Sequence, residues 1–542
     1  DFQQFSSDKL QRSSRIKDKI DLTVIRDGND ERSNFMKNFL NRLGMTVLTA
    51  AMLTLPVTGC GGSSDTGAAG STSAAGNASS AAAGSETDND EIVKLRVWGF
   101  GYTATSDDCA AVAEAINEIT RDEIGVEIEL VRSGDGEKLN LALTSGEQLD
   151  LVNYHTYSGG LVTLVNNGMA TPLEELVEQY GQDAVSAVGE ENLAMGKVNG
   201  TLYSIPNVTC FANSYGMAVR QDILEELEVD PKTVKTWEEM HDLLVRVKEA
   251  HPDMYPVVNS WAGGMQKTFA FDNLGTGFWD ALGILENVHD GSTKVVNMYE
   301  TDSYREFCEM MYQWKQDGLL MPDVTTSNEN NLCSSVGFAA FENNGPLKSQ
   351  QLSKDWGKEG VVIELVSPFI TSDAGGSSFF IPSVSKHPEK AMQLWNLMYT
   401  NKEIANLLTN GIEGVHYEYT DDSRSSVRSL EGSTWDSMDW PWPNSSLAAV
   451  YEGTDPDIWA QNIEFSNSAS VSPALGFRFD NSSVLNEITA CNNVIAKYDV
   501  GLRWGELDPE EALPKFNEEL KAAGLDTIIA EKQAQLDAFL AQ

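Results

Sequence analysis

Apolar and polar positions change their period several times along this chain, and each change marks an element. Residues 92–98 (IVKLRVW) are rich in β-branched and apolar residues, with Lys94 and Arg96 between them, and read as a buried first strand. Over 108–124, Val112, Ile116 and Ile119 recur at spacings of four and three, which predicts a helix ended by Gly125. Residues 126–131 alternate like a second strand. A second helix is predicted over 138–145, a short third strand over 149–152 and another helix over 161–167. Strands alternating with helices in this way predict an open α/β sheet with helices on both faces. Ligands of such sheets sit beyond the C-terminal ends of the strands.

A second unit starts near residue 208. Strands are predicted over 214–219, 255–258, 336–342 and 361–365, and helices over 221–227, 303–317 and 348–356. Thr236 followed by Trp237-Glu238-Glu239 places a hydroxyl at an N-cap and a Glu at N3, a capping box opening a helix to about Ala250. Phe379-Phe380-Ile381-Pro382 reads as the chain returning to the first unit, followed by a helix from His387 to Tyr399. The tail is helical, with Asp508 as a cap and Pro509 at N1. The expected architecture is α/β and two-lobed, each lobe an open sheet flanked by helices. Its parts are residues 92–208 for the first lobe, 209–376 for the second, 377–483 for the return to the first, and 484–542 for a helical C-terminal part.

The first 91 residues have a different character. Lys37 and Arg42 precede an apolar stretch from Leu43 to Val57, and Val57-Thr58-Gly59-Cys60 follows. An apolar core of about 15 residues with small residues before the break reads as an export signal, too short for a stable span. On this reading translation starts at Met36, residues 1–35 are an upstream extension outside the native protein, and 36–59 are the signal. Residues 61–85 are Gly, Ser, Ala and Thr except for Asp65 and Asn77. Such a composition cannot repay the entropy of ordering a backbone, so 60–91 are expected to be a flexible tether.

Composition narrows the partners. With 38 Lys and Arg against 81 Asp and Glu, the formal charge of −43 disfavours nucleic acid and anionic membrane surfaces. Twelve Trp, fifteen Tyr and twenty Phe are inconsistent with a mainly disordered acidic chain. The six Cys, at 60, 109, 210, 308, 333 and 491, contain no CxxC pair, and the six His lack ligand spacing. Neither a disulfide framework nor a structural metal site is expected, and no cofactor. No GxSxG, HExxH or GK[ST] motif occurs. Carboxylates are numerous enough to form chance pairs, so glycoside chemistry is the weakest of the alternatives.

The layout resembles the extracellular solute-binding proteins of bacterial ABC importers, in particular the large oligosaccharide-binding cluster. The resemblance is carried by KLRVWGFG (94–101), TSGEQLDLVNYHTYSGGLVTLVNNGMATPLEEL (144–176), GTLYSIPNVTCFANSYGMAVRQDIL (200–224), TWEEM (236–240), AAFENNGPL (339–347) and FFIPSVSKHPEKAMQLWNLMYT (379–400). GIEGVHYEY (411–419) and the segment 485–540 are similar to a Firmicutes branch with an uncharacterised tail domain. The resemblance implies a clamp with two type II periplasmic-binding lobes hinged by crossing strands, which closes on a solute and docks on permease subunits. It also identifies the 36–60 stretch as similar to a lipoprotein signal. That implies a lipid on Cys60 and a monomer held at the extracellular face of the cell membrane.

Sugars present hydroxyl edges and weakly polar C–H faces, so their sites combine aromatic planes with amides and carboxylates. Tyr102 follows the first strand, while Trp98 is compatible with core or cleft. Asn153, Tyr154, His155 and Tyr157 follow the third strand beside Gly159 and Gly160. In the second lobe Trp261 follows the strand ending at Val258, and Glu342, Asn343 and Asn344 close another, where the family often places ligand-facing groups. Trp435, Trp440 and Trp442, broken by two prolines, form a rigid aromatic segment; Trp440 and Trp442 are further ligand candidates. These loops contain no Lys or Arg, which favours a neutral oligosaccharide. A peptide or other solute, and a surface sensor role, are the alternatives.

Overall fold

The computed structural model describes residues 92–542 apart from 100–103, 132–135, 155–159, 260–267, 276–279, 327–330, 373–376 and 436–439. Two five-stranded sheets organise it. The strands in chain order are β1 (Val93–Trp98), β2 (Val126–Val131), β3 (Leu151–Asn153), β4 (Ile205–Pro206), β5 (Asn213–Arg220), β6 (Tyr255–Val257), β7 (Gly337–Asn344), β8 (Gly360–Ile370), β9 (Ser378–Phe380) and β10 (Ser470–Val471). The first sheet runs β2-β1-β3-β9-β4 and the second β10-β8-β5-β7-β6.

The first sheet is covered on both sides, and period-two alternation shows how. Val97, Leu151 and Phe379 enter one core with Val112, Ile116 and Trp395 from the helices Ser106–Ile124 and Pro388–Thr400. Their chain neighbours Trp98, Val152 and Phe380 enter the opposite core with Leu139, Leu143 and Leu161. That double burial applies to the end of β1, where Val97 and Trp98 are both buried, while Lys94 and Arg96 earlier in the strand are not. β1 pairs in parallel with β2 and β3, whereas β9 is antiparallel to both β3 and β4.

The second sheet is built around β5, antiparallel to β8 and β7. The β5–β8 register shifts twice, between Glu364 and Val366 and between Val366 and Phe369. Gly216 sits at this irregularity, where a Cβ would stand 1.9 Å from the Ile363 carbonyl oxygen. Only glycine permits that approach. The helix Trp237–Ala250 opens with the capping box: Glu239 N donates to Thr236 Oγ1 at 3.2 Å and Thr236 N to Glu239 Oε2 at 3.1 Å.

The C-terminal region departs from the expected partition. The chain rejoins the second sheet at β10, where Phe369 faces Ser470 and Ile370 faces Val471. That return falls within 377–483, the stretch expected to belong to the first lobe. The helices Leu485–Arg503, Pro509–Ala522 and Leu525–Leu540 then bury Leu502, Phe516, Ile528 and Leu536 in the same core as Met217, Trp314 and Phe341. The tail is thus part of the second lobe's core. Local periodicity predicts its helices but carries no information about the body they cover. Among the described residues no disulfide joins Cys109, Cys210, Cys308, Cys333 or Cys491, and no cluster suits a metal ion. No described helix is long and apolar enough to cross a membrane.

Candidate functional site

Strand register alone assembles the candidate site. Residues 207–212 join the end of β4 to the start of β5, and the segment after β8 leads into β9. In the first sheet Asn153, at the end of β3, lies opposite Phe379, in the middle of the short strand β9. In the second, Asn343 and Asn344, at the end of β7, lie opposite Tyr215 and Ser214, at the start of β5. Both sheets therefore bring these strand ends to the crossings, where groups from each lobe can converge.

On the first-lobe side the aromatic segment is laid over the strand ends by amide side chains. Asn153 is fully buried, and its Nδ2 donates to Ser377 Oγ at 3.1 Å and to Pro441 O at 3.2 Å. Asn207 Nδ2 donates to Trp440 O at 3.1 Å, and Val208 N to Pro443 O at 2.7 Å. The three tryptophans separate. Trp442 is buried and stacks on Phe379, with centroids 6.4 Å apart. Trp435 is buried against His416, whereas Trp440 is half-buried. Tyr154 is buried in the core that also holds Trp98. The placement of Trp442 and Tyr154 is that of packing side chains, and Trp440 is the more accessible ring of the segment.

A polar clamp anchors the segment from behind. His416 Nδ1 accepts from Ile412 N at 2.9 Å, which puts the ring proton of the neutral imidazole on Nε2, 3.1 Å from Asp108 Oδ1. Thr434 Oγ1 donates to Asp108 Oδ2 at 2.5 Å. Burial acts to raise the Asp108 pKa, but hydrogen bonds from Thr105, Thr434 and His416 outweigh it and hold the carboxyl well below its ordinary range.

The second-lobe side is a polar recess. Glu342 is buried; its Oε1 accepts from Asn343 N at 2.8 Å and faces Lys348 Nζ at 3.5 Å. Asn344 Nδ2 donates to Glu364 Oε2 at 2.8 Å and to Ser214 Oγ at 3.3 Å. A cavity of about 250 Å³ lies here, lined by Asn259, Glu342, Lys348 and Gln351 with Leu352 and Trp356 on its apolar side. That volume is below the roughly 300–1,000 Å³ of complete small-molecule sites, so the recess alone does not make a complete site. Its helix, Lys348–Trp356, also reaches the first lobe. Gln350 Nε2 donates to Tyr451 O at 3.1 Å, and Lys354 Nζ stands 4.4 Å over the Tyr451 ring.

Three buried polar atoms near these strand ends have no hydrogen-bond partner among the described residues: Trp98 Nε1, Asn207 Oδ1 and Asn343 Oδ1. Asn207 and Lys348 escape sequence reasoning because neither lies in an aromatic cluster. The sequence signal for Asn207 is its place directly after a short strand. Tyr102, His155, Tyr157, Trp261 and Cys60, the residue expected to carry lipid, lie outside the described residues. Asp150, near His155 in sequence, is fully buried and accepts from Arg96 N at 2.9 Å and Ser385 Oγ at 2.6 Å. Those partners hold β1 and the segment after β9 together.

Residues 104–405 match the model of the family described as bacterial extracellular solute-binding protein. The chain belongs to that family. Residues 473–541 of this solute-binding protein match a domain of unknown function. A carbohydrate ABC transporter substrate-binding protein of Streptococcus pneumoniae is 28% identical over 442 residues, covering 78% of this chain and 87% of the relative. Among solved structures, the N-glycan transport solute-binding protein NgtS of the same species superposes with a TM-score of 0.75 at 25% identity. That match covers 83% of this chain and 99% of NgtS. A solute-binding protein of Bifidobacterium longum infantis associated with an HMO-binding ABC transporter shares the fold at 14% identity and a TM-score of 0.60. These relatives bind substrates for transport and are not enzymes, and family membership places the solute-binding protein outside the cytoplasmic membrane.

Proposed function

We propose that this solute-binding protein encloses a neutral oligosaccharide between its two lobes and delivers it to the permease of an ABC importer. The observation that carries the proposal is the strand register that sets Asn153 in one lobe, and Glu342, Asn343 and Asn344 in the other, beside the crossings, with Trp440 held there through its carbonyl by Asn207. Amides and one half-buried indole suit hydroxyl edges and C–H faces. Lys348 in the recess is paired with Glu342, and Asp355 also lines it, so the recess offers no excess positive charge to an acidic ligand, which favours an uncharged one. The similarity to NgtS, solved with Man1GlcNAc and with Man5GlcNAc, makes N-glycan fragments the first ligands to test. The same reading includes an anchor: Cys60 carries lipid, residues 60–91 are the tether, and the monomeric body works at the outer face of the membrane.

Titration calorimetry against mannose- and GlcNAc-containing glycans, milk oligosaccharides and neutral peptides tests the proposal. At least one glycan should bind, and Trp440→Ala and Asn343→Ala should each weaken it about tenfold, the weight of a stacking or hydrogen-bond contact in a desolvated site. Binding to peptides with none to any glycan ends the reading. Intact-mass analysis of the native protein tests the anchor; a chain continuing unmodified through Gly59 and Cys60 removes it.

A further inference from the structure

The last helix, Leu525–Leu540, lies in the region matching a domain of unknown function. Lys532, Gln535 and Phe539 recur along it at spacings of three and four and so share one face. That face grips one segment, residues 477–480. Gln535 Oε1 accepts from Asp480 N at 2.9 Å and its Nε2 donates to Asp480 O at 2.9 Å. Phe539 meets Phe477 edge-on, with centroids 5.6 Å apart. Lys532 is fully buried, its Nζ 5.2 Å over the Phe479 ring. It donates to Gly283 O at 2.9 Å and to Asn273 O at 3.3 Å, with Asp280 Oδ2 at 3.4 Å. Phe479 N in turn donates to Leu274 O at 3.2 Å. Packing alone does not call for a buried ammonium, which is costly unless its protons meet acceptors. Here the acceptors belong to the loop that flanks 477–480.

The residue held in the middle of this grip is Arg478, and it reaches the other lobe. Its Nη2 donates to Met195 O at 2.6 Å. Met195 belongs to the short helix Glu190–Gly196, whose Leu193 packs against the first lobe's core. Beside it Gly476, at φ 84°, lets the two backbones touch: a Cβ there would stand 2.9 Å from Ala194 O. The two lobes therefore meet at a point whose second-lobe side is fixed by the last helix.

We infer that the C-terminal helix is a positioning element for lobe closure: it holds residues 477–480 so that Arg478 sets the angle between the lobes. Arg478, Gln535 and Lys532 are positioning residues on this account, none of them a ligand contact. The inference rests on the two-lobed clamp of the proposed function, so its decisive test is made without ligand.

Labels on the exposed helix positions Glu118 and Asp242, one in each lobe, give an interlobe distance distribution by pulsed electron resonance on the full ligand-free chain. Arg478→Met should shift or broaden that distribution by several ångströms with the melting temperature nearly unchanged. Gln535→Leu, a change confined to the second lobe, should do the same to a smaller extent. In the presence of a bound glycan, Arg478→Met should alter the dissociation rate about tenfold, the weight of one charge-assisted hydrogen bond. Lys532→Met tests the grip from its buried end, and melting identifies a folding defect. Distributions unchanged in both Arg478→Met and Gln535→Leu overturn the inference, whatever happens to melting. If no sugar binds, the distance measurement still decides it. If sugar binds normally and distances do not move, the inference alone fails.

Discussion

Asp272 offers the sharpest test of how the crossings are held. Its carboxylate is fully buried; Oδ2 accepts from Ser372 N at 2.7 Å, and Oδ1 from Ser372 Oγ at 2.7 Å and Leu274 N at 2.8 Å. The Ser472 hydroxyl is a further partner. Ser372 lies just past β8 and Ser472 just past β10, so one carboxylate ties together two strands leaving the second sheet. Asp272→Ala leaves two buried backbone N–H groups unpaired, at about 1–3 kcal/mol each. The variant also releases a desolvated charge, whose cost shows in a pKa raised by burial. The net expected loss is about 2–4 kcal/mol. Asp272→Asn keeps an acceptor for Leu274 N and Ser372 Oγ but turns an NH2 toward Ser372 N, so its loss should be smaller, roughly 1–2 kcal/mol. Urea unfolding, with hydrogen exchange at the Ser372 and Leu274 amides, measures both. An alanine variant within about 0.5 kcal/mol of the parent, or an asparagine variant less stable than the alanine one, refutes the reasoning.

Two further outcomes follow from the same contacts. Asp108 and Asp272 should give opposite pH dependences: the lowered pKa of Asp108 contributes stability above the unfolded value of about 3.9 that is lost as pH falls through the folded pKa. The raised pKa of Asp272 gives a contribution present below that unfolded value and lost as pH rises through its folded pKa; denaturation series on Asp108→Asn and Asp272→Asn should each remove one slope. Trp442→Ala removes a buried ring stacked on Phe379 and should cost about 3–5 kcal/mol, read by chemical denaturation, while glycan selectivity among folded molecules stays that of the parent.

Much of the fold is legible before any coordinates because its elements are local. The spacing of Val112, Ile116 and Ile119 predicts a helix that the structure places at Ser106–Ile124, and the Thr236–Glu239 box opens Trp237–Ala250 as its residues require. Asp508 caps Pro509–Ala522 by accepting from Glu510 N at 2.9 Å. The candidate site is less legible. Aromatic enrichment draws attention to 435–444, yet composition cannot say that Trp442 turns inward on Phe379 while Trp440 stays half-buried. That choice depends on Asn153 and Asn207, far away in sequence, which seize the Trp440 and Pro441 carbonyls.

Local sequence specifies the succession of helices and strands and the caps that start and stop them. Each of these depends on residues within a turn or two of one another. Long-range packing settles that the tail completes the second lobe, that Lys532 and Asp272 are buried with assigned partners, and that Arg478 touches Met195. Those outcomes depend on which surfaces meet after the chain has crossed between sheets. Periodicity states that a residue faces inward; it carries no information about what awaits it there.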